Sequence, residues 1–423
     1  MVRAIAASKS PCMTARAPFA AIGPAILGLL LMLAAGAGAQ TAFARCDDRD
    51  ASADQLIASC GQALQSGGLT QQQRAIAYGH RGLAYHAKGQ NDLAITDYTL
   101  ALRINPTNAL LYFNRANAYD DKGAADLALA DFTQALRIDP NLGDAYTNRG
   151  VVYAEKGQDD LAIADYTQAL RLAPKSADAY VNRGNAYLRK GQDDLAIADY
   201  TQAMRVAPND ADAYYARGNV YLKKGQNDLA VADYTEALRI DPTNANAYYG
   251  RATAYQKQGQ NDLAVTDYTQ SLRLNPKFVG TYAGRGYSLF YIGRFSEAAA
   301  DLAHTLSADP TALYSVLWLH IARTRAGDDD AASFAANAAP LDHVKWPAPV
   351  VDLYLGKSTA AQVLAAATTG DQRCEAQFYI AEWQIWNKQV EAARSGFQQA
   401  VDTCPSGFTE YAAARAELSR LPR

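Results

Sequence analysis

The segment ADAYVNRGNAYLRKGQDDLAIADYTQAMRVAPND, residues 177–210, carries Pro208 as its thirty-second residue, and the same frame recurs 34 residues away in either direction. Prolines mark it at Pro106, Pro140, Pro174, Pro208, Pro242, Pro276 and Pro310. With each proline set as position 32, Tyr holds position 4 and Arg position 7 in all seven units, from Tyr78 and Arg81 to Tyr282 and Arg285. Position 8 is Gly or Ala, position 15 is always Gly, position 20 is always Ala, and position 27 is Ala, Ser or Thr. A period in this range is the signature of a repeat architecture in which each unit covers its neighbour.

Positions 4, 8 and 11 fall on one stripe of a first helix, and positions 20, 24, 27 and 28 on one stripe of a second. Two helices alone cannot bury both stripes, so hairpins must stack. Small residues at 8, 20 and 27 let helix axes approach, and aromatic residues at 4, 11 and 24 fill the gaps between them. Gly at 15 turns the chain after the first helix, and Pro at 32 stops the second. Asp at position 23, from Asp97 to Asp301, faces Arg at position 7. Read as exposed ion pairs tying helix to helix, these contribute roughly 0–1 kcal/mol each.

The frame resembles the tetratricopeptide repeat family. That resemblance implies an all-α, right-handed solenoid of antiparallel helix pairs with degenerate capping repeats, and a function in holding other polypeptides. Seven repeats are expected over residues 75–312, with a degenerate repeat at 313–346 and a helical cap with one further degenerate repeat at 347–423. In the family pattern, first-helix positions 2, 5, 6, 9, 12 and 13 line an inner wall, and these are where the chain stops repeating itself. Position 6 carries Asn114, Asn148 and Asn182, and position 9 carries Asn117, Asn185 and Asn219. An asparagine ladder presents both donors and acceptors to the peptide groups of an extended ligand.

The wall is graded in charge, with Asp120, Asp121, Asp144 and Glu155 early and Arg189, Lys223 and Lys257 later. Tyr215, Tyr249, Tyr287 and Phe290 gather towards its end, so a segment with an apolar anchor and an acidic flank suits the later half. The same residues also read as solvated helix faces. The lysine clamp that some family members use for a chain-terminal carboxylate is missing, because position 5 reads Gly79, Phe113, Thr147, Val181, Tyr215, Tyr249 and Ala283.

At the start, Arg3, Lys9 and Arg16 precede an apolar run from Ala20 to Ala35 and small residues at Ala37-Gly38-Ala39 and Ala42-Phe43-Ala44. This reads as a bacterial-type secretory signal and short linker over residues 1–44, cut near Ala39 or Ala44, with a retained anchor as the alternative. Cys46 follows Arg45, so the acylation pattern of a lipoprotein is missing, and no transmembrane segment is expected after cleavage. Losing three positive charges takes the formal charge from −3 to −6. A mildly acidic chain argues against nucleic acid as a partner.

Export puts the remaining cysteines in an oxidising compartment. Residues 45–74 read as a helical cap in which Gln55–Ser66 aligns with a second helix, with Cys60 at position 24 and Cys46 beside the missing first helix. A Cys46–Cys60 disulfide follows. With Pro405 taken as position 32, Cys374 and Cys404 fall at positions 1 and 31, where antiparallel partners meet, and a second disulfide follows there. The aromatic set around Trp318, Trp346, Phe378, Tyr379, Trp383 and Tyr411 is similar to the C-terminal half of NlpI-like periplasmic repeat lipoproteins. That family implies an adaptor for an envelope protease and peptidoglycan-remodelling enzymes, although the same aromatics are more simply read as core.

No catalytic or cofactor motif stands out. His80, His86, His304, His320 and His343 lack metal-ligand spacing. Gly356-Lys357-Ser358-Thr359 echoes the end of a phosphate loop but has Val351 where its first glycine belongs. The expected function is an exported, non-enzymatic scaffold binding peptides or proteins without a cofactor. A periplasmic chaperone or secretion-assembly factor for unfolded clients is the alternative.

Overall fold

The computed structural model describes residues 33–422 apart from 49, 342 and 343. Most of the leader reading therefore lies outside the described residues, as does His343. Among the described residues the structure is helical with no strand, and it divides after Pro208 into two compact units.

The first unit opens with α1 (Leu33–Cys46) and α2 (Ala53–Gln65), then four 34-residue hairpins: α3 (Gln71–Ala87) with α4 (Asn91–Ile104), α5 (Ala109–Asp121) with α6 (Ala125–Ile138), α7 (Gly143–Glu155) with α8 (Asp159–Leu172), and α9 (Ala177–Arg189) with α10 (Asp193–Val206). Helix α1 supplies the missing first helix of the opening hairpin and runs through both expected cleavage points. Phe43, Leu56 and Leu64 pack beside Cys46, Cys60 and Ala77, and the two cysteine sulfurs are bonded. Ser52 caps α2 by accepting the Gln55 N–H, which in turn offers its side-chain carbonyl to the Ser52 N–H.

Each of the four 34-residue hairpins turns at a glycine whose backbone is left-handed, with φ near +71° at Gly157 and Gly191. A residue with a Cβ is strained there. The tyrosine ring at position 24 lies flat on position 8, so a Cβ built on Gly150 meets the Tyr166 ring at 2.7 Å. Glycine at 8 makes room for a buried tyrosine at Gly82, Gly150, Gly184 and Gly218, although Tyr268 is equally buried in one cluster with Ala252. Where Ala116 replaces it, the facing ring is Phe132, and both are fully buried.

The second unit continues the pattern with α11 (Ala211–Lys223) and α12 (Asn227–Ile240), α13 (Ala245–Lys257) and α14 (Asn261–Leu274), and α15 (Val279–Tyr291) and α16 (Phe295–Ala308). Beyond it lie α17 (Leu313–Ala326), the short α18 (Ala331–Ala338), α19 (Ala348–Tyr354) and α20 (Ala360–Ala366), then α21 (Gly370–Trp386), α22 (Val390–Thr403) and α23 (Thr409–Arg420). Helices α21 and α22 form the degenerate repeat read from Pro405, with Ala381, Ala393, Phe397 and Ala400 fully buried. The Cys374 and Cys404 sulfurs are bonded, and closing that loop contributes about 3–4 kcal/mol on a chain-entropy basis. One continuous core joins Phe290, Trp318, Phe334, Phe378, Tyr379 and Phe397, so the C-terminal aromatics are packing residues in this unit.

Candidate protein-binding wall

The residues that never change make the lattice. Arg149 Nε and Nη2 donate to the two carboxylate oxygens of Asp165 at 2.7 and 2.8 Å, and Nη1 donates to Thr133 Oγ1 of the preceding repeat at 3.0 Å. The same triple bond recurs at Arg115, Arg183, Arg251 and Arg285, with Thr99, Thr167, Thr235 and Thr269 as the hydroxyl partners. One guanidinium thereby joins three helices. Its faces are flanked by the rings at positions 4 and 11, as with Tyr146 at 5.7 Å and Tyr153 at 5.8 Å from Arg149 Cζ.

These carboxylates are buried, Asp165 being 5 % exposed, which corrects the expectation of exposed pairs. Burial alone would lower the Arg149 pKa, but the Asp165 hydrogen bond and charge more than offset it and raise it. Tyr at 4 and 11 therefore flanks the arginine while also packing against the repeat cores, as Tyr112, Tyr119 and Tyr146 do. The threonine at position 25 lies off the stripe its own hairpin buries, because it acts on the next repeat. Its signal in the sequence is recurrence, at a constant 16 residues before the arginine. A second set of ties runs along the repeats, from Lys156 to Asp126 at 2.9 Å, from Arg189 to Asp159 at 2.6 Å, and from Lys122 to Asp92.

Within each unit the first helices touch the first helices of neighbouring repeats, as α5 does α3 and α7, whereas the second helices have no comparable contact with one another. The first helices therefore form the inner wall. Here the expected ligand residues separate into two groups. Asn185 accepts the Tyr200 hydroxyl at 2.7 Å, and Asn219 accepts that of Tyr234 at 2.7 Å. In the second repeat position 24 is Phe132, which has no hydroxyl, and Asn117 instead accepts from Asn148 Nδ2 at 2.8 Å. Position 9 thus serves first to satisfy a buried phenol. Burial keeps the Tyr200 and Tyr234 protons on, raising both pKa values far above the ordinary range.

Asn114 and Asn182 stand half-buried on the wall, and the Nδ2 of Asn182 is shielded with no partner. Tyr215 and Tyr249 are half-buried against Tyr234 and Tyr268, with ring centroids 6.0 and 5.8 Å apart, while Lys223 and Lys257 are exposed at the helix ends. The expected aromatic end of the wall is closed by the chain itself. Phe290 is fully buried, Tyr287 packs edge-on to Trp318, and Tyr291 Oη donates to the Thr409 carbonyl of α23 at 3.2 Å. Arg420 of α23 caps the α15 carbonyls of Phe290 and Tyr291 and lies over the Phe295 ring.

Stacked helical hairpins held by an internal ion lattice, with a variable first-helix wall, define the class of α-helical repeat scaffolds. Models of the TPR repeat match residues 82–123, 117–157, 152–191, 184–225 and 218–259, and models of the tetratricopeptide repeat match 245–278 and 375–406. Together these matches span more than half of the chain, which belongs to the tetratricopeptide repeat family. No curated protein sequence matches it significantly.

Solved structures to which it is similar include a MamA protein at 28% identity, covering 40% of this chain and 92% of that one with a TM-score of 0.38. Another is YrrB, described as a TPR protein with an unusual peptide-binding site, at 24% identity, 44% and 95% coverage and a TM-score of 0.39. A third is the C-terminal part of a TPR repeat-containing protein from Cytophaga hutchinsonii, at 21% identity, 56% and 98% coverage and a TM-score of 0.49. No described helix is long and apolar enough to cross a membrane.

Proposed function

We propose that this protein is a non-enzymatic scaffold of the bacterial cell envelope that holds peptide or protein partners against the first-helix wall of its repeats. The observation that carries this reading is a division of labour. Residues at positions 7, 15, 20, 23 and 32 are kept in every repeat and are accounted for by the lattice and turns, while the wall positions differ from repeat to repeat. The outer side is uniform by contrast, with a half-exposed leucine at the same place in successive second helices, Leu93, Leu127, Leu161 and Leu195. Variation confined to one face is what selective recognition requires. Export rests on the leader pattern and the two disulfides, and an adaptor role in envelope maintenance rests on the NlpI-like aromatic pattern of the C-terminal part.

A photo-crosslinking residue placed at Asn114 or Tyr249 in the host is expected to capture a small, reproducible set of envelope proteins, while the same residue at the outward Ala164 captures none of them. Equal capture from both faces, or recovery in the cytosolic fraction only, contradicts the proposal. A broad spectrum of weakly held unfolded chains would move the reading to a chaperone.

A further inference from the structure

Two cut points fit the leader pattern, after Ala39 and after Ala44, each with alanine at the cut and alanine two residues before it. Sequence alone does not choose between them. The residues in between, 40–44, do. A leader is discarded, so its residues need only present a positive head, an apolar run and a small-residue cut. Nothing requires them to fit the folded chain.

Residues 40–46 fit it closely. Gln40 is exposed, and its Oε1 accepts from Nε2 of Gln73 in α3 at 3.1 Å. Ala42 is 2 % exposed. Phe43 packs, with Leu56 and Leu64 of α2, on the cluster of Cys46, Cys60 and Ala77. The Phe43 carbonyl accepts the Asp47 N–H at 2.9 Å where α1 ends, and the Cys46 carbonyl accepts from Nδ1 of His80 at 2.9 Å.

A cut after Ala44 removes Gln40, Ala42 and Phe43 together. Only Arg45 then precedes Cys46, no turn of helix remains, and the apolar surface that Phe43 covers is returned to water. A cut after Ala39 keeps every one of these contacts. The remainder of α1, residues 40–46, is about two turns long and too short to hold its shape alone. Its place is kept by that packing and by the Cys46–Cys60 bond.

We infer that the chain is processed at the Ala39–Gln40 bond, so that the exported protein begins at Gln40 and its first helix is the remainder of α1. Under a signal peptidase, water adds across that amide, leaving a carboxylate on Ala39 and an amino group on Gln40. This rests on the export reading above and fixes where the leader ends.

The test expresses the whole chain from Met1 in a bacterial host with an oxidising periplasm and reads the first residue of the periplasmic product by mass spectrometry. A product beginning at Gln40, or at its pyroglutamyl form, is expected. Ala39→Leu puts a bulky residue at the cut and is expected to abolish that product, whereas Ala44→Leu, at an exposed position, is expected to leave it. A product beginning at Arg45 or any other residue, a chain left uncut at the membrane, or loss of the Gln40 product in Ala44→Leu overturns this inference alone. A whole, uncut chain in the cytosol overturns the export reading with it. In a second measurement, chains beginning at Gln40 and at Arg45 are exported behind the same foreign leader and melted side by side. The shorter chain is expected to melt a few degrees lower, and equal melting also overturns the inference.

Discussion

The four regular hairpins of the first unit and the C-terminal helices of the second achieve stability in opposite ways. In the hairpins every contact is local and repeated. One arginine, one aspartate, one threonine and one tyrosine per repeat tie each hairpin to its predecessor, so stability is spread evenly along the array. From α17 onward the ruler fades and the devices are singular. A disulfide, a stacked aromatic core and a buried charge cluster take over, and contacts reach across as many as 130 residues in sequence. A repeat leaves its wall free because its lattice lies between helices, whereas the terminal helices consume the wall of α15 to finish the fold.

The charge cluster is the sharpest point of that contrast. Arg325 pairs with Glu382 at 3.2 Å and with Glu417 at 2.5 Å, and both carboxylates are almost fully buried. Removing one partner of a buried pair strands the others, so Arg325→Ala is expected to cost about 3–5 kcal/mol in a thermal melt. A loss below 1 kcal/mol, typical of surface pairs, would break the comparison. Next comes Tyr166→Ala, at roughly 3–5 kcal/mol for a large-to-small core change. Spread-out stability predicts that this loss is localised, so hydrogen exchange should rise mainly in the third and fourth repeats.

Acid-base behaviour gives a third, smaller effect. Burial, reinforced by Glu417 and opposed by Arg325, pushes the Glu382 pKa up to about 8. Its unfolded value is near 4.3, so between those limits the folded state holds a proton that the unfolded state lacks. Stability from this group is therefore full below about pH 4 and declines as pH rises towards 8, by at most about 1.4 kcal/mol per pH unit. Burial lowers the His320 pKa against the pull of Asp330, and His320 acts in the opposite sense as pH falls below about 6.5. Glu382→Gln is expected to flatten the alkaline side of a melting-temperature profile, and an unchanged slope would assign it elsewhere.

The smallest effect separates used from unused hydroxyls. Tyr200→Phe leaves Asn185 without its donor and should lose about 1 kcal/mol, whereas Tyr166→Phe removes a hydroxyl with no internal partner and should be nearly neutral.

The repeats, their turns and both disulfides were legible in the sequence because each followed from a residue recurring in a fixed frame. Gly at 15 and Pro at 32 mark the hairpin ends directly. The site was legible only as a face. The family resemblance places Asn117, Asn185 and Asn219 on the inner wall, but whether each is free depends on the side chain at position 24 behind it, a contact between two helices. The threonine bond to the following arginine and the docking of α23 on Tyr291 and Phe290 arise from stacking geometry, to which a single-helix stripe is blind.

Invariant residues hold the array, and half-buried wall residues such as Asn114 do not. Thermal melts of Arg149→Ala and Asn114→Ala beside wild type test it most directly. A loss of about 3–5 kcal/mol is expected for the arginine, whose removal strands buried Asp165, and under about 0.5 kcal/mol for the asparagine. Comparable losses from both would contradict it.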